Sequence, residues 1–302
     1  QFCNKYVVAV GEHRHFGKAA NACNVSQPTL SGQIRKLEEH LGIEIFERTK
    51  RSVRATPAGE RIIERAKTLL AEARSIEELA TAMTDPLSGS LRLGTIPTIA
   101  PYLMPILVPA LAHALPAVEP KLFEGFTKEI EEGLVDGSLD AAIIATEPEA
   151  PQLISIPLYD EPFWITLPNG HALSREEDID FSDLAGERLL LLSEGNCLRD
   201  QVLSFYSASK GDPALISTEE TSLTTILALV GGAFGVALLP AMSLSGPWVT
   251  DAGIVVRKET SGAARRGVQL AFRKSFSRMA LIERLADIIA AIVPDTVVPQ
   301  RR

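Results

Sequence analysis

Cysteine is scarce in this chain: Cys3, Cys23 and Cys197 stand far apart among 302 residues. Three scattered thiols exclude a disulfide-stapled scaffold and a zinc site of paired cysteines, and they lead us to expect a reducing cytoplasm. No secretory leader is visible at the start. Long apolar runs are missing as well. The uncharged stretch 221–250 has an apolar centre, Ile226 to Met242, that Gly231, Gly232, Gly235 and Pro240 interrupt. It fits a buried helix, turn and strand better than a membrane span, so no membrane partner is expected. Those glycines lack the context of a nucleotide fingerprint, and neither a phosphate loop nor a G-x-S-x-G elbow occurs; no cofactor is expected. Glu12, His13 and His15 read as solvated surface rather than a metal site.

Cations are in deficit, 30 against 38 acids, for a net charge of −8. The deficit is uneven. Residues 1–58 carry nine cations and five acids, a net +4, which leaves −12 for residues 59–302. A small basic head on a larger acidic body suits a nucleic-acid reader joined to a sensor. The head contains a pattern to match. Phe16, Ala19, Ala20 and Cys23 recur at helical spacing, Asn24 and Val25 form a tight connection, and Ser26 can cap a second helix with Pro28 in its first turn. In that helix Leu30, Ile34, Leu37 and Leu41 make an apolar stripe. The other faces hold Pro28, Thr29, Ser31, Gly32, Arg35 and Lys36: small residues, hydroxyls and two cations. A major groove calls for that combination, although an ordinary solvated amphipathic helix would show the same period.

Thr56 and Pro57 then announce a long helix. Ile62, Ala66, Leu69, Ala73, Ile76, Ala80 and Met83 step alternately by four and three, a heptad seam. Such a seam could lie on its own domain, but so narrow a stripe on so long a helix favours pairing with a second copy. The helix is expected to end near Asp85–Pro86, with Leu87–Gly89 as a hinge. Beyond it, strands at 91–94, 118–123 and 139–145 alternate with helices at 101–113 and 127–135, predicting a parallel α/β sheet. The chain is then expected to leave this lobe near Tyr159–Pro162. A second α/β lobe would come next through 163–167, 188–192, a helix from Cys197 and strand 236–239. Strand 268–273 and helix 276–292 would return to the first. Ligands of such folds sit at the carboxyl ends of strands, where Thr98 and Thr127, the latter read as a helix cap, can aim hydroxyls.

Cys197 lies in the sequence SEGNCLRDQ, at the start of a predicted helix behind Asn196, a good N-cap. The positive helix end and Arg199 would favour a thiolate there, while Asp200 opposes it. A thiolate so placed can attack a peroxide O–O bond to give a sulfenic acid. An isolated cysteine at a helix start is otherwise a small buried hydrophobe.

The run FGKAANACNVSQPTLSGQIRKLEEHLGIEIFER resembles the winged helix-turn-helix of LysR-type transcriptional regulators, and with CLRDQ it resembles their peroxide-responsive branch. The resemblance covers nearly the whole chain and implies an α/β protein in three parts. Residues 1–58 would be a winged helix-turn-helix and 59–88 a dimerising linker helix and hinge. Residues 89–302 would be a two-lobed, periplasmic-binding-protein-like sensor (lobe I 89–161 and 266–302; lobe II 162–265). By the same resemblance Ser26–His40 is the recognition helix, with Arg48, Lys50, Arg51 and Arg54 of the wing on phosphates, and a few residues would precede Gln1. The partners implied are double-stranded promoter DNA at a pseudo-palindromic site, a second copy through the linker helix, a tetramer beyond that, and RNA polymerase. Cys197 would be the peroxide-reactive thiol, with Thr98, Thr127, Asn196, Asp200 and Gln201 as its polar shell and Arg266 stabilising the thiolate. Two positions depart from the family. Tyr206 stands where a second, resolving cysteine is usual, and Asn196 stands where histidine is. The expected function is therefore a peroxide-responsive regulator, with a small anionic metabolite in the cleft as the alternative effector. A thiol peroxidase is a remote third reading, disfavoured by the DNA-reading head and the missing resolving thiol.

Overall fold

The computed structural model describes residues 2–48, 53–177, 179–208, 214–217, 222–246, 249, 252–260 and 262–301. Its contacts separate two units, Gln1–Met83 with Asp136–Ser138, and the remainder. In the first unit, α1 (Phe2–His13), α2 (Phe16–Ala22) and α3 (Gln27–Leu41) close around Val7, Val10, Phe16, Ala19, Ala20, Cys23, Leu30 and Ile34. His15 caps the second helix, its Nδ1 accepting from Gly17 N and Lys18 N. Asn24 takes a left-handed φ of 56° to make the turn, and Ser26 Oγ accepts from Thr29 N to start α3. The expected stripe fades at its far end: Leu37 is half-buried and Leu41 is exposed, because Gly42 in the left-handed region ends the helix there. Strands β1 (Phe46–Arg48) and β2 (Val53–Ala55) pair antiparallel. Glu38 ties this ribbon to α3, its carboxylate accepting from Ile45 N and Phe46 N.

Thr56 caps the long helix α4 (Pro57–Thr84), accepting from Gly59 N at 2.9 Å. The first turns of α4 pack on the head through Ile62, Ile63 and Ala66. Further along, the seam is bare: Leu69 is 58 % exposed, Ile76 68 % and Met83 82 %. An amphipathic helix exposing its own apolar stripe lacks the burial that would offset ordering it.

The second unit has two cores. β3 (Gly89–Thr95) pairs in parallel with β4 (Val118–Glu124) and β5 (Ala141–Ile144), connected by α5 (Ala100–Ala114) and α6 (Thr127–Val135). The wholly parallel sheet expected from sequence is corrected by two long antiparallel strands. β6 (Leu153–Pro168) runs unbroken through the point where the chain was expected to leave the lobe. β11 (Arg265–Arg273) pairs with β6 on one side and β5 on the other. The far half of β6 pairs with β9 (Ala237–Pro240) and β10 (Ile254–Lys258), and a single bridge joins Val236, beside β9, to β7 (Arg188–Leu191). β7 pairs in turn with β8 (Ala214–Ser217). Helices α7 (Cys197–Ala208) and α8 (Leu223–Gly231) complete this lobe, and α9 (Met279–Ile292) returns to pack with α5. One strand thus serves two sheets, and its two halves bury different cores. The segment read as a hinge is held from α9's start: Arg278 donates to the carbonyls of Pro86, Ser88 and Ser90.

Where β6 and β11 lie side by side between the lobes, Arg266 stands opposite Glu161. Both are buried; Arg266 donates to Glu161 Oε2 from Nε at 2.9 Å and Nη2 at 2.7 Å, and to Thr98 Oγ1 and O. Glu161 Oε1 accepts from Met242 N.

Ile76→Asp is expected to leave unfolding of the head and sensor unchanged while shifting the protein toward monomer in sedimentation velocity; an unshifted assembly would show that the seam is not a self-association surface. Arg266→Met should destabilise the sensor by about 3–5 kcal/mol in urea unfolding, since it strands a buried carboxylate, and Glu161→Gln in the same background should recover part of the loss.

Candidate functional site

The outer face of α3 is open. Ser26, Gln27, Pro28, Thr29, Gly32, Arg35 and Lys36 are exposed, and Ser31 is half-exposed. They share a surface because positions three and four apart on a helix lie above one another, opposite Leu30 and Ile34. Gly32 is informative. It sits mid-helix with ordinary helical backbone, and a Cβ built on it meets nothing within 4 Å. Glycine inside a helix costs about 1 kcal/mol against alanine. No internal contact explains it. Arg54, in β2, is exposed, and Arg48 lies in β1; Lys50 and Arg51 lie outside the described residues.

The second site gathers at the carboxyl ends of β3 and β5. Cys197 is half-buried at the first position of α7. Asn196 is buried before it, its Oδ1 accepting from Leu198 N at 3.2 Å and its carbonyl from Arg199 N. The first turn of α7 therefore straddles two cores, with Leu198 inside the lobe of α7 and Cys197 packed against the core built on β3 and β5. One turn later Gln201 reaches the same way, donating from Nε2 to Ala145 O at 2.7 Å. Its Oε1 is buried and accepts nothing.

Thr98 and Thr127 differ in state. Thr98 is buried and accepts from Arg266 at 2.9 Å, which leaves its own O–H as a donor. Thr127 is not the cap read from sequence but the first residue inside α6. Glu129 takes the preceding Phe126 N–H instead, and the Thr127 hydroxyl is left buried without a partner. Asp200 is exposed, and Arg199 is turned back onto Leu192 O. Arg266 spends its donors on Glu161 and Thr98 rather than on sulfur.

Sequence reasoning missed several neighbours. Glu161 fixes Arg266, and only the β6–β11 register reveals it. Tyr102 hydrogen-bonds Thr224, and burial raises its pKa. Thr95 and Thr146, at the ends of β3 and β5, carry buried hydroxyls without partners. Their signal was present but faint, as lone hydroxyls ending apolar strands. Tyr206, one of the two departures, is buried in the lobe core with its O–H donated to Leu184 O at 3.1 Å, and burial pushes its pKa up to about 12. Two surface cavities, of about 310 and 430 Å³, lie elsewhere: one beside Trp164 and Lys258, the other beside Ser155 and Gln269.

Comparison with known proteins places both units in one family. Residues 5–60 match the model of the bacterial regulatory helix-turn-helix protein, lysR family, and residues 84–293 match the LysR substrate binding domain. The hydrogen peroxide-inducible genes activator of Pectobacterium carotovorum is 40 % identical over 285 residues, covering 94 % of each chain. The DNA-binding transcriptional dual regulator OxyR of Escherichia coli K12 is 39 % identical over 95 % of this chain and 93 % of its own. Among solved structures, a full-length Cys-to-Asp variant of Pseudomonas aeruginosa OxyR is 38 % identical. It covers 100 % of this chain and 97 % of its own at a TM-score of 0.79. A Cys-to-Ser variant of Corynebacterium glutamicum OxyR with hydrogen peroxide bound is 33 % identical at a TM-score of 0.65, covering 96 % and 91 %. With two family domains in order and full-length likeness on this scale, the chain belongs to the LysR family of bacterial helix-turn-helix regulators.

Proposed function

We propose that this regulator is of the OxyR type: it binds promoter DNA through α3 and the wing and responds to hydrogen peroxide through Cys197. The observation that carries the reading is the first turn of α7. There a half-buried thiol and, one turn on, an unmatched amide oxygen on Gln201 face the carboxyl ends of another lobe's strands. Hydrogen peroxide is small and offers two O–H donors and four lone pairs, which suits orphan acceptors and hydroxyls better than a carboxylate metabolite would. Thr98, Thr127, Asn196 and Gln201 are the groups assigned to hold it. Arg266 acts through Thr98, fixing which way that hydroxyl points. Asp200, exposed, is assigned the rim. Peroxide attack in one lobe's helix, against the other lobe's core, changes the fit between lobes and so the spacing of the DNA-reading heads.

On the DNA side, Ser26, Gln27, Pro28, Thr29, Ser31, Gly32 and Arg35 are assigned to the major groove, and Lys36, Arg48, Lys50, Arg51 and Arg54 to phosphates. The exposed seam of α4 is assigned to dimerisation, with a tetramer, an activating contact to RNA polymerase and a cytoplasmic location following from the family reading. No helix among the described residues is long and apolar enough to cross a membrane.

Gly32→Ala separates the two uses of a helix. It should stabilise the head by about 1 kcal/mol in thermal unfolding while weakening operator binding in fluorescence anisotropy; stronger or equal binding would remove α3 from the groove. At Cys197, reduced protein given stoichiometric peroxide with dimedone should gain one adduct at that residue, and Cys197→Ser should gain none at the same peroxide. Absence of an adduct in the parent would sink the peroxide reading and turn attention to metabolites in the cleft.

A further inference from the structure

A cavity that shares no residue with the surroundings of Cys197 opens on the far half of β6. Pro162 and Trp164 alternate onto one face of that strand, and Lys258 of β10 stands opposite Trp164 in the antiparallel register. Cross-strand partners share a face, so the Lys258 ammonium is held 5.5 Å from the centre of the indole ring. Beside them the loop into β11 is closed by Arg265, which donates from Nε and Nη2 to Gly262 O, while Phe163 N donates to Ala264 O. The opposite wall is the tail behind α9. There Val297 is buried in the core built on β3 and β5, and its N–H donates to Pro294 O in a turn that presents Asp295 and Thr296. Between these walls lies the cavity of about 310 Å³, lined also by the buried Glu259. Ligand pockets run from roughly 300 to 1,000 Å³, so a small metabolite matches this one. Thr296 lines it, and the Thr296 Oγ1 is buried without a hydrogen-bond partner. A buried hydroxyl that no protein group satisfies is unfavourable, and a polar group on a ligand is what would satisfy it.

The chemistry of the lining selects the ligand. It carries charge of both signs: the Lys258 cation, the Glu259 carboxylate and, at the rim, the exposed Asp295 carboxylate. A simple anion would meet two carboxylates, and a simple amine would meet the lysine. A zwitterion is matched at both ends. Pro162, Trp164 and Ala264 add apolar surface beside the charges. We propose that this cavity binds a free α-amino acid with an apolar side chain. The ligand carboxylate lies against Lys258, its ammonium donates to Glu259 and to the Thr296 hydroxyl, and its side chain covers Pro162 and Trp164. The walls belong to both lobes, since Trp164 packs on the core of α7 and α8 while Thr296 precedes Val297 of the other core. An occupant therefore bridges the lobes beside the Glu161–Arg266 pair, one residue along β6 from Pro162. The site stands or falls apart from the peroxide reading.

The test titrates reduced full-length protein with L-leucine and L-phenylalanine, read by calorimetry and by tryptophan fluorescence. The two halves of leucine, 3-methylbutylamine and 4-methylpentanoate, serve as matched probes. An amino acid should bind, and each half should bind at least about ten-fold more weakly, since each drops one charge-assisted contact. Lys258→Met should weaken leucine about ten-fold and leave the amine unchanged. Glu259→Gln should do the converse, weakening leucine and the amine while sparing 4-methylpentanoate. Lys258 is exposed, so its variant keeps the test open should loss of the buried carboxylate disturb folding. Saturation by neither amino acid at about 10 mM overturns the proposal. Equal binding of either half overturns the zwitterion assignment and the proposal with it. Binding of leucine that ignores Lys258→Met places the ligand elsewhere and overturns it as well.

Discussion

The sensor unit depends on one buried ion pair. Glu161 and Arg266 meet on neighbouring strands at the place where the chain passes between lobes, and neither charge reaches solvent. A buried charge is tolerated only when its donors and acceptors are matched, and here they are. The guanidinium is divided between the carboxylate and Thr98, and the second carboxylate oxygen accepts a backbone N–H from Met242. Four elements are fixed by this arrangement: the crossing strands β6 and β11, the turn into α5 and the turn after β9. Such a lock contributes less to stability than to geometry. It makes the position of Thr98 a property of the inter-lobe junction, so a change in lobe angle cannot leave that hydroxyl unmoved.

That dependence explains why the site lies where it does. The carboxyl ends of β3 and β5 end in hydroxyls, Thr95 and Thr146, that no protein group satisfies. Across from them α7 delivers Cys197 and Gln201 from a helix whose remaining apolar residues, Leu198, Val202 and Tyr206, belong to the other lobe's core. Cys197 and the core it packs against are therefore carried by lobes joined through the long strands β6 and β11. The head obeys a simpler rule. Its core is complete without the outer face of α3, and the glycine there is unfavourable for helix formation and explained by no internal contact.

Much of this is legible in the residues alone. Period 3.6 with Ser26 and Pro28 places α3; Thr56–Pro57 places α4; alternation of apolar strands with helices places the β3–α5–β4–α6–β5 unit. Those are local signals, decided within a turn or two of the residues that carry them. What cannot be read is non-local. β6 is one strand because both halves find partners far away in sequence, β11 on one side and β9 and β10 on the other; its own residues, with Pro157 and Pro162 inside it, suggest a break. Glu161 looks like any surface acid until its register partner is known. Thr127 is misplaced by one residue because Glu129, two positions on, competes for the capping role. His15 escapes notice as a cap because imidazole seldom serves there.

Tyr206 stands where the family resemblance places a second cysteine, and its structural role here is packing. A tyrosine at this position fills volume between α7 and the strands behind it and pins its hydroxyl on Leu184 O, so the helix gains a reason to stay folded. A cysteine at the same place would bury less area and satisfy no carbonyl. It would leave a looser segment able to unwind toward a partner sulfur. Stability of α7 and formation of an intra-helix disulfide are therefore opposed demands, and this chain is built for the first. On the proposed reading of Cys197, oxidation is registered without refolding α7, as added bulk where the first turn of that helix packs against the neighbouring lobe's core.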